Sequence, residues 1–483
     1  MKLLSSKQQI SEYIDSIIFS IGIIVATFVF FRVVHPIIVF DTDDWWYIYY
    51  SRKAWPLPGT WNPARIFPEL LMPLVSEVAS YTLYPLSGDF VGSLANMHAM
   101  VITGFVYAYI YNFYKLCKVY FRCSSKIAIS SAALFYLFHF LAFRNQETGN
   151  IYLLNAHNVT CYFYYIIPAL LNASLVMWIM RDGFLEDFFS ENQIAKKSWF
   201  VLLAYLAIFS NLYPSIILSA YCASKLLINF NKPLKNKAAY LIIVIIWFSS
   251  CGFELFGGRA KTVYNNNMSL LSSVRKTGGL LFRNCLHLNR LFLIILVIGI
   301  IFGLLMLKNH FDCKYMFSLI TACLGTIVFE ILLCAVTGYD RIGRPDVMIS
   351  FFFFIFCALG LSLAWAMSNY KKLVLLMPLV LIFVLSEINT EGTTFIESNT
   401  PNLDANIAEA ITRDIVNQLI SADEAGKEEI DLFVPKWETE DNWPHGYYAE
   451  DRFSKALEKH GVINRVIKVH MKPDLSINEK YLK

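Results

Sequence analysis

The sequence predicts an all-α polytopic membrane protein of about eleven transmembrane helices, with a small α/β domain at its C-terminal end. Apolar residues make up 56% of the 483 residues, and charged residues make up only 16%. Soluble domains carry about 25% charged residues, whereas about 20 consecutive apolar residues span the hydrocarbon core of a bilayer. The net charge of +4 is too small to suggest a nucleic-acid partner.

Eleven apolar runs follow one another along the first 388 residues. They lie at 17–38, 91–114, 127–143, 159–180, 199–212, 214–228, 239–256, 290–307, 315–337, 347–367 and 373–388. The first run is longer than the core of a signal peptide, so we expect an uncleaved membrane helix. Pro214 interrupts the stretch 199–228, and a proline ends or kinks a helix. This stretch therefore crosses once as a bent helix or twice as two short helices.

The distribution of Lys and Arg predicts the orientation, because these residues concentrate in short cytoplasmic loops. They are frequent in loops 115–126, 181–198 and 225–237 and in two short turns near Lys308 and Lys371. All of these loops share one side only if residues 199–228 cross twice. The N-terminus is then cytoplasmic and the C-terminus lies outside. The basic loop 257–289 departs from the rule, but the runs on either side require it to be external.

Two domains are predicted. Residues 1–388 form the membrane domain with an external loop at 39–90, and residues 389–483 form a soluble external domain. In the soluble part, residues 430–434 and 462–469 have the composition of strands, and residues 447–460 have helical spacing. Two strands with an intervening helix indicate a small α/β unit.

The first external loop opens with three carboxylates, Asp41, Asp43 and Asp44, followed by Trp45 and Trp46. Carboxylates at a membrane surface cost free energy unless they are solvated, paired or bound to a metal. Asp43 and Asp44 are catalytic candidates, since a carboxylate can act as general base for a hydroxyl. Asp41 is a substrate-binding candidate, and one carboxylate could hold a divalent cation. Alternatively, the motif is a solvated helix end whose aromatic rings set the membrane depth.

Arg65 and Glu69 lie four residues apart in the same loop and share a face wherever the chain is helical. They predict a structural ion pair, or a substrate site in which Arg65 holds a phosphate or orients an aspartate. Pro68 argues against a regular helix here.

A second pair of candidate substrate-binding residues, Arg341 and Arg344, lies in the short turn 338–346 between two apolar runs. Two guanidinium groups can bind one phosphate through paired hydrogen bonds. Arg341 would stabilise the charge that develops on a departing phosphate. The alternative is that both arginines bind lipid headgroups or pair with Asp340 and Asp346.

The remaining polar features have no assigned part in catalysis. Glu330 lies deepest within an apolar run and would suit a proton or ion path. The basic residues of loop 257–289 suit interfacial anchoring or phosphate contact. The glycosylation sequon at 158–160 abuts an apolar run, and we interpret it as a chance match. The ten cysteines show no CxxC spacing, and no His/Cys cluster predicts a metal centre.

The acidic pair after the first run, the number of runs and the external C-terminal domain together resemble the GT-C superfamily of membrane glycosyltransferases. The stretches DTDDWW and WNPARIFPE resemble the first periplasmic loop of bacterial and phage O-antigen serotype-converting glucosyltransferases. The tail segment DNWPHGYY fits more loosely. The WNPAR stretch differs from the Gly-Arg expected in that family, which leaves the role of Arg65 open.

The resemblance implies a polyprenyl-phosphate donor carrying glucose or a similar sugar, and an acceptor hydroxyl on lipid-linked O-antigen or another surface glycan. It implies Asp44 as the base supported by Asp43 or Asp41, and Arg341 or Arg344 on the departing phosphate. Single displacement with inversion would follow. The chain would lie in a bacterial inner membrane, with transfer on the periplasmic face.

The sequence is also compatible with two other functions. A transporter or flippase of lipid-linked saccharides would need a polar path and usually paired repeats, and neither is evident. An O-antigen polymerase shares the topology and the dependence on external arginines. The early acidic motif favours a transferase that adds a single sugar.

Overall fold

A computed structural model describes residues 6–52, 62–143, 152–189, 193–255, 269–309, 313–388 and 403–482. Within these ranges, each of the eleven predicted apolar runs contains a helix. The helices are Ser6–Val29, Phe90–Phe121, Ser125–Leu141, Ile167–Asp182, Ile194–Ile208, Leu212–Ile228, Ala238–Leu255, Arg290–Lys308, Cys313–Thr337, Pro345–Asn369 and Lys372–Glu387. Wider π turns extend the first helix through Phe30–Val34 and precede Ile167–Asp182 at Tyr162–Ile166.

Six helices among the described residues are long and apolar enough to cross a membrane. They span Ile10–Val34, Phe90–Phe121, Val159–Asp182, Arg290–Lys308, Lys314–Thr337 and Pro345–Asn369. Ser125–Leu141, Leu212–Ile228 and Ala238–Glu254 are shorter apolar helices. The chain is therefore a multi-pass membrane protein, while eleven crossings and the orientation of the termini stay predictions.

The stretch 199–228 contains two helices rather than one bent helix. The first ends at Ile208, and the second begins at Leu212 after Asn211. The side chain of Asn211 caps the second helix by accepting a hydrogen bond from the backbone N–H of Tyr213 at 3.2 Å. Pro214 lies in the first turn of that helix, where its missing N–H costs no hydrogen bond. The second helix begins at Leu212, before the proline, because the Asn211 side chain caps it there.

The lysine-bearing loops gather at one end of the helical body, here called the basic end. Lys118 pairs with Glu12 at 2.9 Å. Lys225 lies 4.9 Å over the ring of Tyr315, and that ring packs edge-on against Tyr120. These contacts join loops that the Lys and Arg pattern placed on one side.

Close helix packing in the core depends on a small residue. Phe113 stacks on Phe135 with ring centroids 4.1 Å apart. Gly360 lies directly against Phe113, and a Cβ at this position would come within 2.5 Å of the phenylalanine ring. A larger residue at position 360 would push apart the helices that form the centre of the bundle.

Several helices lie outside the predicted runs. They are Thr42–Tyr47, Ile66–Val78, Tyr84–Ser87, Leu270–Cys285, Ala405–Glu424, Glu450–Lys459 and Leu475–Tyr481. The expectation that Pro68 prevents a regular helix is wrong, because this proline lies in the first turn of Ile66–Val78, where backbone N–H groups have no helical partner.

The C-terminal residues form a two-stranded parallel sheet with helices around it. Strand β1 (Glu429–Pro435) pairs with strand β2 (Lys468–Asp474), and Leu432 lies opposite Met471. The predicted first strand and the helix that follows it are confirmed.

The second predicted strand, 462–469, is wrong in position, because β2 begins at Lys468. The residues before it form a loop in which the backbone N–H of Asn464 donates to Asp423 at 2.9 Å, and Arg465 pairs with the same carboxylate at 3.1 Å. These bonds hold the segment away from β1. The proposed domain boundary at 388–389 stays a prediction, since residues 389–402 lie outside the described ranges.

Candidate active site at the acidic-turn end

Residues 41–44, here called the acidic turn, begin the short helix Thr42–Tyr47. Asp41 caps this helix, with one oxygen accepting from the backbone N–H groups of Asp43 at 2.9 Å and Asp44 at 3.0 Å. Aspartate is a preferred residue at this position. Its second oxygen accepts from the side-chain amide of Asn158, and Asp41 is fully buried. Asp41 therefore fixes the shape of the turn.

Asp44 is also fully buried, and both of its oxygens accept hydrogen bonds. Its Oδ1 accepts from the backbone N–H and the hydroxyl of Thr160, each at 2.7 Å, and its Oδ2 accepts from the backbone N–H of Phe40 at 3.2 Å. These donors surround the carboxylate that the resemblance assigned as base. In this arrangement Asp44 joins the acidic turn to the helix that begins at Val159.

Asp43 is the accessible carboxylate of the three, with its side chain 50% exposed. Its Oδ1 lies 3.7 Å from Nη1 of Arg452, a residue of the C-terminal domain. The Arg452 guanidinium lies between two rings, 4.7 Å from the centroid of Trp46 and 5.1 Å from that of Tyr448. Stacking on two rings holds a guanidinium in place. Asp43 therefore faces both solvent and a fixed cation.

The C-terminal domain is bonded directly to the acidic turn. The hydroxyl and the backbone N–H of Thr42 donate to the carbonyl of Pro444 at 2.7 and 3.0 Å, and Gly446 N–H donates back to the hydroxyl at 3.0 Å. The ring of Trp45 packs on Phe453 at 4.9 Å. Sequence reasoning missed Arg452, although the neighbouring segment DNWPHGYY was a signal that this part of the tail belongs to the site.

A cavity of about 340 Å³ opens beside the acidic turn. It is lined by Trp46, Tyr47, Tyr50, Arg52, Asn62, Ala64, Arg65, Glu69, Phe253 and Glu254. Arg65 and Glu69 both line it but do not pair with each other. Arg65 binds Glu254 through two nitrogens, at 2.8 and 3.4 Å, and Glu69 pairs with Arg52 at 3.0 Å. The cavity wall therefore alternates cations, carboxylates and aromatic rings.

Glu69 is a buried carboxyl group in the wall of the cavity. Burial raises the pKa of Glu69 above its ordinary value, although Arg52 and the hydroxyl of Tyr164 oppose the shift. The Tyr164 hydroxyl donates to Glu69 at 3.1 Å. A carboxyl group of this kind can keep a proton at higher pH than an exposed one, which suits proton exchange with a bound hydroxyl.

The two arginines of residues 338–346, here called the arginine turn, differ in their surroundings. Arg344 donates to Asp346 from two nitrogens, with Nε to Oδ1 at 2.9 Å, and Asp346 is fully buried. Arg344 also lies 4.9 Å over the ring of Tyr165. Arg341 is partly exposed and forms no side-chain hydrogen bond or ion pair with any residue in the described ranges. Arg341 is thus the more available of the two for a phosphate.

One short segment joins the acidic turn to the arginine turn. Asn158 binds Asp41, Thr160 binds Asp44, and the next residue, Cys161, accepts from Arg344 at 3.2 Å. Both turns therefore lie at the same end of the helical body. Sequence reasoning set aside the Asn158 and Thr160 pattern as a chance sequon, yet these two side chains hold the acidic turn.

Two tyrosines that pack together, Tyr165 and Tyr213, lie beside the arginine turn and are here called the tyrosine cluster. Tyr165 lies within electrostatic range of both Arg65 and Arg344. Its ring packs on Tyr213 at 5.7 Å, and Arg341 is within electrostatic range of Tyr213. The three arginines thus lie around one tyrosine cluster.

Asp41 and Asp44 are not placed to bind a divalent cation. The oxygens of Asp41 and Asp44 face N–H and O–H donors, whose hydrogens would repel a cation. Among the described ranges, no group of three His, Cys, Asp or Glu side chains is placed to hold a metal.

The comparisons with known proteins do not assign a function to the chain. No family model and no curated protein matches the chain. Among solved structures, the chain is similar to the crystal structure of the Archaeoglobus fulgidus oligosaccharyltransferase in complex with zinc and sulfate, with 14% identity and a TM-score of 0.44. The match covers 92% of this chain and 61% of that one, so the chain spans about three-fifths of that protein's length.

Proposed function

We propose that the chain is a membrane glycosyltransferase of the GT-C type. It would move a sugar, such as glucose, from a polyprenyl-phosphate donor to a hydroxyl of lipid-linked O-antigen or another surface glycan. The observation that carries the proposal is that the acidic turn and the arginine turn bond to one short segment, residues 158–161, the first through Asn158 and Thr160 and the second through Cys161. Sugar transfer needs a carboxylate that accepts the proton of the attacking hydroxyl and a cation that stabilises the departing phosphate. Both groups must lie at the membrane surface, where a lipid-linked donor presents its phosphate.

In this proposal Asp43 is the general base, because it alone among the three carboxylates is accessible. The acceptor hydroxyl gives its proton to Asp43 as its oxygen bonds to the anomeric carbon. The bond between that carbon and the phosphate oxygen breaks, and polyprenyl phosphate leaves. Attack opposite the departing phosphate inverts the anomeric configuration. Asp41 and Asp44 act by holding the turn, which revises the role first expected for Asp44.

Arg341 stabilises the departing phosphate in this scheme. A guanidinium without an acidic partner in the described ranges keeps its donors for a ligand, and charge-assisted bonds to a phosphate are the strong ones. Arg344 holds Asp346 instead and supports the turn. The donor phosphate would thus lie near the tyrosine cluster.

The cavity beside Asp43 is the proposed sugar site. Its volume of about 340 Å³ lies in the range of small-molecule pockets. Arg52, Glu69 and Asn62 can bond sugar hydroxyls, while the rings of Trp46 and Tyr50 offer apolar faces to the C–H groups of a pyranose.

Transfer from synthetic donors tests the proposal. Purified chain would be mixed with undecaprenyl phosphate carrying radiolabelled glucose, galactose or N-acetylglucosamine, and with membranes that contain lipid-linked O-antigen. We expect transfer of one of these sugars, and a loss of about 100-fold or more in Asp43→Asn, the range for removal of a general base. Asp451→Asn, at an exposed carboxylate of the same end, is the matched control and should keep full activity.

Lipopolysaccharide banding of strains that carry the wild-type chain or Asp43→Asn separates the alternatives. An intact O-antigen ladder that lacks a branch sugar in the Asp43→Asn strain supports the transferase. Loss of the whole ladder would indicate a polymerase. Full transfer by Asp43→Asn would remove Asp43 as base and with it this mechanism.

A further inference from the structure

The helix Leu270–Cys285 lies at the level where membrane helices end. The hydroxyl of its Ser273 donates to the carbonyl of Ala335, in the last turn of Cys313–Thr337, at 2.6 Å. Lys276 lies 5.3 Å over the ring of Tyr339, in the arginine turn. The helix therefore packs across the ends of transmembrane helices at the acidic-turn end.

Three sides of this helix differ in chemistry. Ser273, Thr277 and Leu281, spaced four residues apart, are buried against the protein. Leu271 and Phe282, eleven residues apart, project from a second side and are 80% and 67% exposed. Leu286, just after the helix, adds to this apolar side and is also exposed.

The third side is basic. Lys276 and Arg283 lie seven residues apart and therefore project in nearly the same direction, and Arg275 lies at the edge of the apolar side. No Asp or Glu occurs between residues 269 and 290. Arg275 and Arg283 form no ion pair with any residue in the described ranges, so their charge is open to an external anion.

We propose that Leu270–Cys285 is an interfacial helix that binds the phosphates of anionic phospholipids. A helix with one apolar side and one basic side lies in the plane of the membrane interface, with the apolar side among acyl chains and the basic side at the headgroups. The apolar side selects a lipid over a soluble anion, because its exposed Leu and Phe side chains need an acyl environment. The binding is separate from sugar transfer and requires neither donor nor acceptor.

Native mass spectrometry of the full chain tests this proposal. Detergent-purified protein would be incubated with equal amounts of phosphatidylglycerol and phosphatidylcholine, and the ratio of the two bound lipids would be measured. We expect the chain to prefer phosphatidylglycerol. The variant Arg275→Gln/Lys276→Gln/Arg283→Gln should lose that preference by on the order of tenfold or more, as expected for removing three cations near a lipid surface.

A matched control removes three exposed lysines at the basic end, Lys235→Gln/Lys371→Gln/Lys372→Gln, and should keep the phosphatidylglycerol preference. Equal loss in both variants would show a general charge effect and overturn the proposal, as would unchanged preference in the first. Displacement of the lipid by inorganic phosphate would indicate a free-phosphate site instead and also overturn it. Size-exclusion elution at the wild-type volume checks that each variant is folded.

Discussion

Arg452 of the C-terminal domain holds its guanidinium 3.7 Å from the carboxylate of Asp43, in the first loop. The two residues are far apart in sequence, and the hydrogen bonds between Thr42 and Pro444 bring them together. The candidate site is therefore built from two parts of the chain, the first loop and the C-terminal residues 403–482. Arg452 positions the proposed base without touching the reacting atoms in our scheme.

Arg452→Gln should lower the rate of transfer, because Asp43 loses the fixed cation that positions it. We expect kcat/KM to fall by about fivefold, because a half-exposed ion pair is worth about 1 kcal/mol at most. Arg452→Lys should restore most of the activity, and the unfolding temperature of both variants should stay close to that of wild type. An unchanged kcat/KM in Arg452→Gln would show that Arg452 does not position Asp43.

Thr160→Val should destabilise the protein and lower transfer together. Asp44 would lose a hydroxyl donor in a fully buried place, and an unsatisfied buried group costs about 1–3 kcal/mol. Thermal unfolding followed by fluorescence measures the change, and Thr160→Ser should behave as wild type. Thr82→Val, at an exposed hydroxyl in the first external loop, is the control. Equal unfolding temperatures for the two valine variants would contradict the assigned role of Thr160.

Arg341→Gln and Arg344→Gln should have different effects on stability and on the rate of transfer. Arg341 has no acidic partner in the described ranges, so its removal should leave stability unchanged and reduce transfer by about 100-fold, as for loss of one transition-state donor. Arg344→Gln leaves Asp346 buried without its cation, which costs about 3–5 kcal/mol. Unfolding temperature and transfer rate, measured on both variants, check this. A stable, fully active Arg341→Gln would remove Arg341 from the phosphate site.

Glu69→Gln should change how stability depends on pH. Burial raises the pKa of Glu69 in the folded protein, so the folded protein keeps this proton to higher pH than the unfolded chain. The resulting stabilisation is complete below the ordinary pKa and is lost as pH rises through the raised one. Glutamine is neutral throughout, so the variant should gain in unfolding temperature relative to wild type as pH rises from the ordinary glutamate pKa, about 4.3, through the raised pKa of Glu69. A constant difference across this range would contradict the shift, and Glu77→Gln is the control.

Long apolar runs made the membrane helices predictable, because twenty apolar residues in sequence leave the chain few alternatives. The break at Asn211 was also visible, through the neighbouring Pro214. Amphipathic helices such as Leu270–Cys285 were missed, since their polar residues hide the periodicity from a search for apolar runs.

The site was only partly predictable, because local sequence does not reveal which side chains a carboxylate will meet. The acidic motif identified Asp41, Asp43 and Asp44, but not that two of them are buried by donors more than a hundred residues away. Arg452 was missed for the same reason. The second strand was misplaced because Asp423 holds the loop that precedes it.

The proposed transfer requires Asp43 and Arg341 to lie on the same membrane surface. In a chain whose ten cysteines are replaced by alanine, Asp43→Cys and Asp340→Cys would be treated with a membrane-impermeant maleimide in sealed vesicles of both orientations. Lys235→Cys, at the basic end, serves as the control. We predict that positions 43 and 340 are labelled from the same side and position 235 only from the other. Labelling of positions 43 and 340 from opposite sides would contradict the account, since no single donor could then contact both residues.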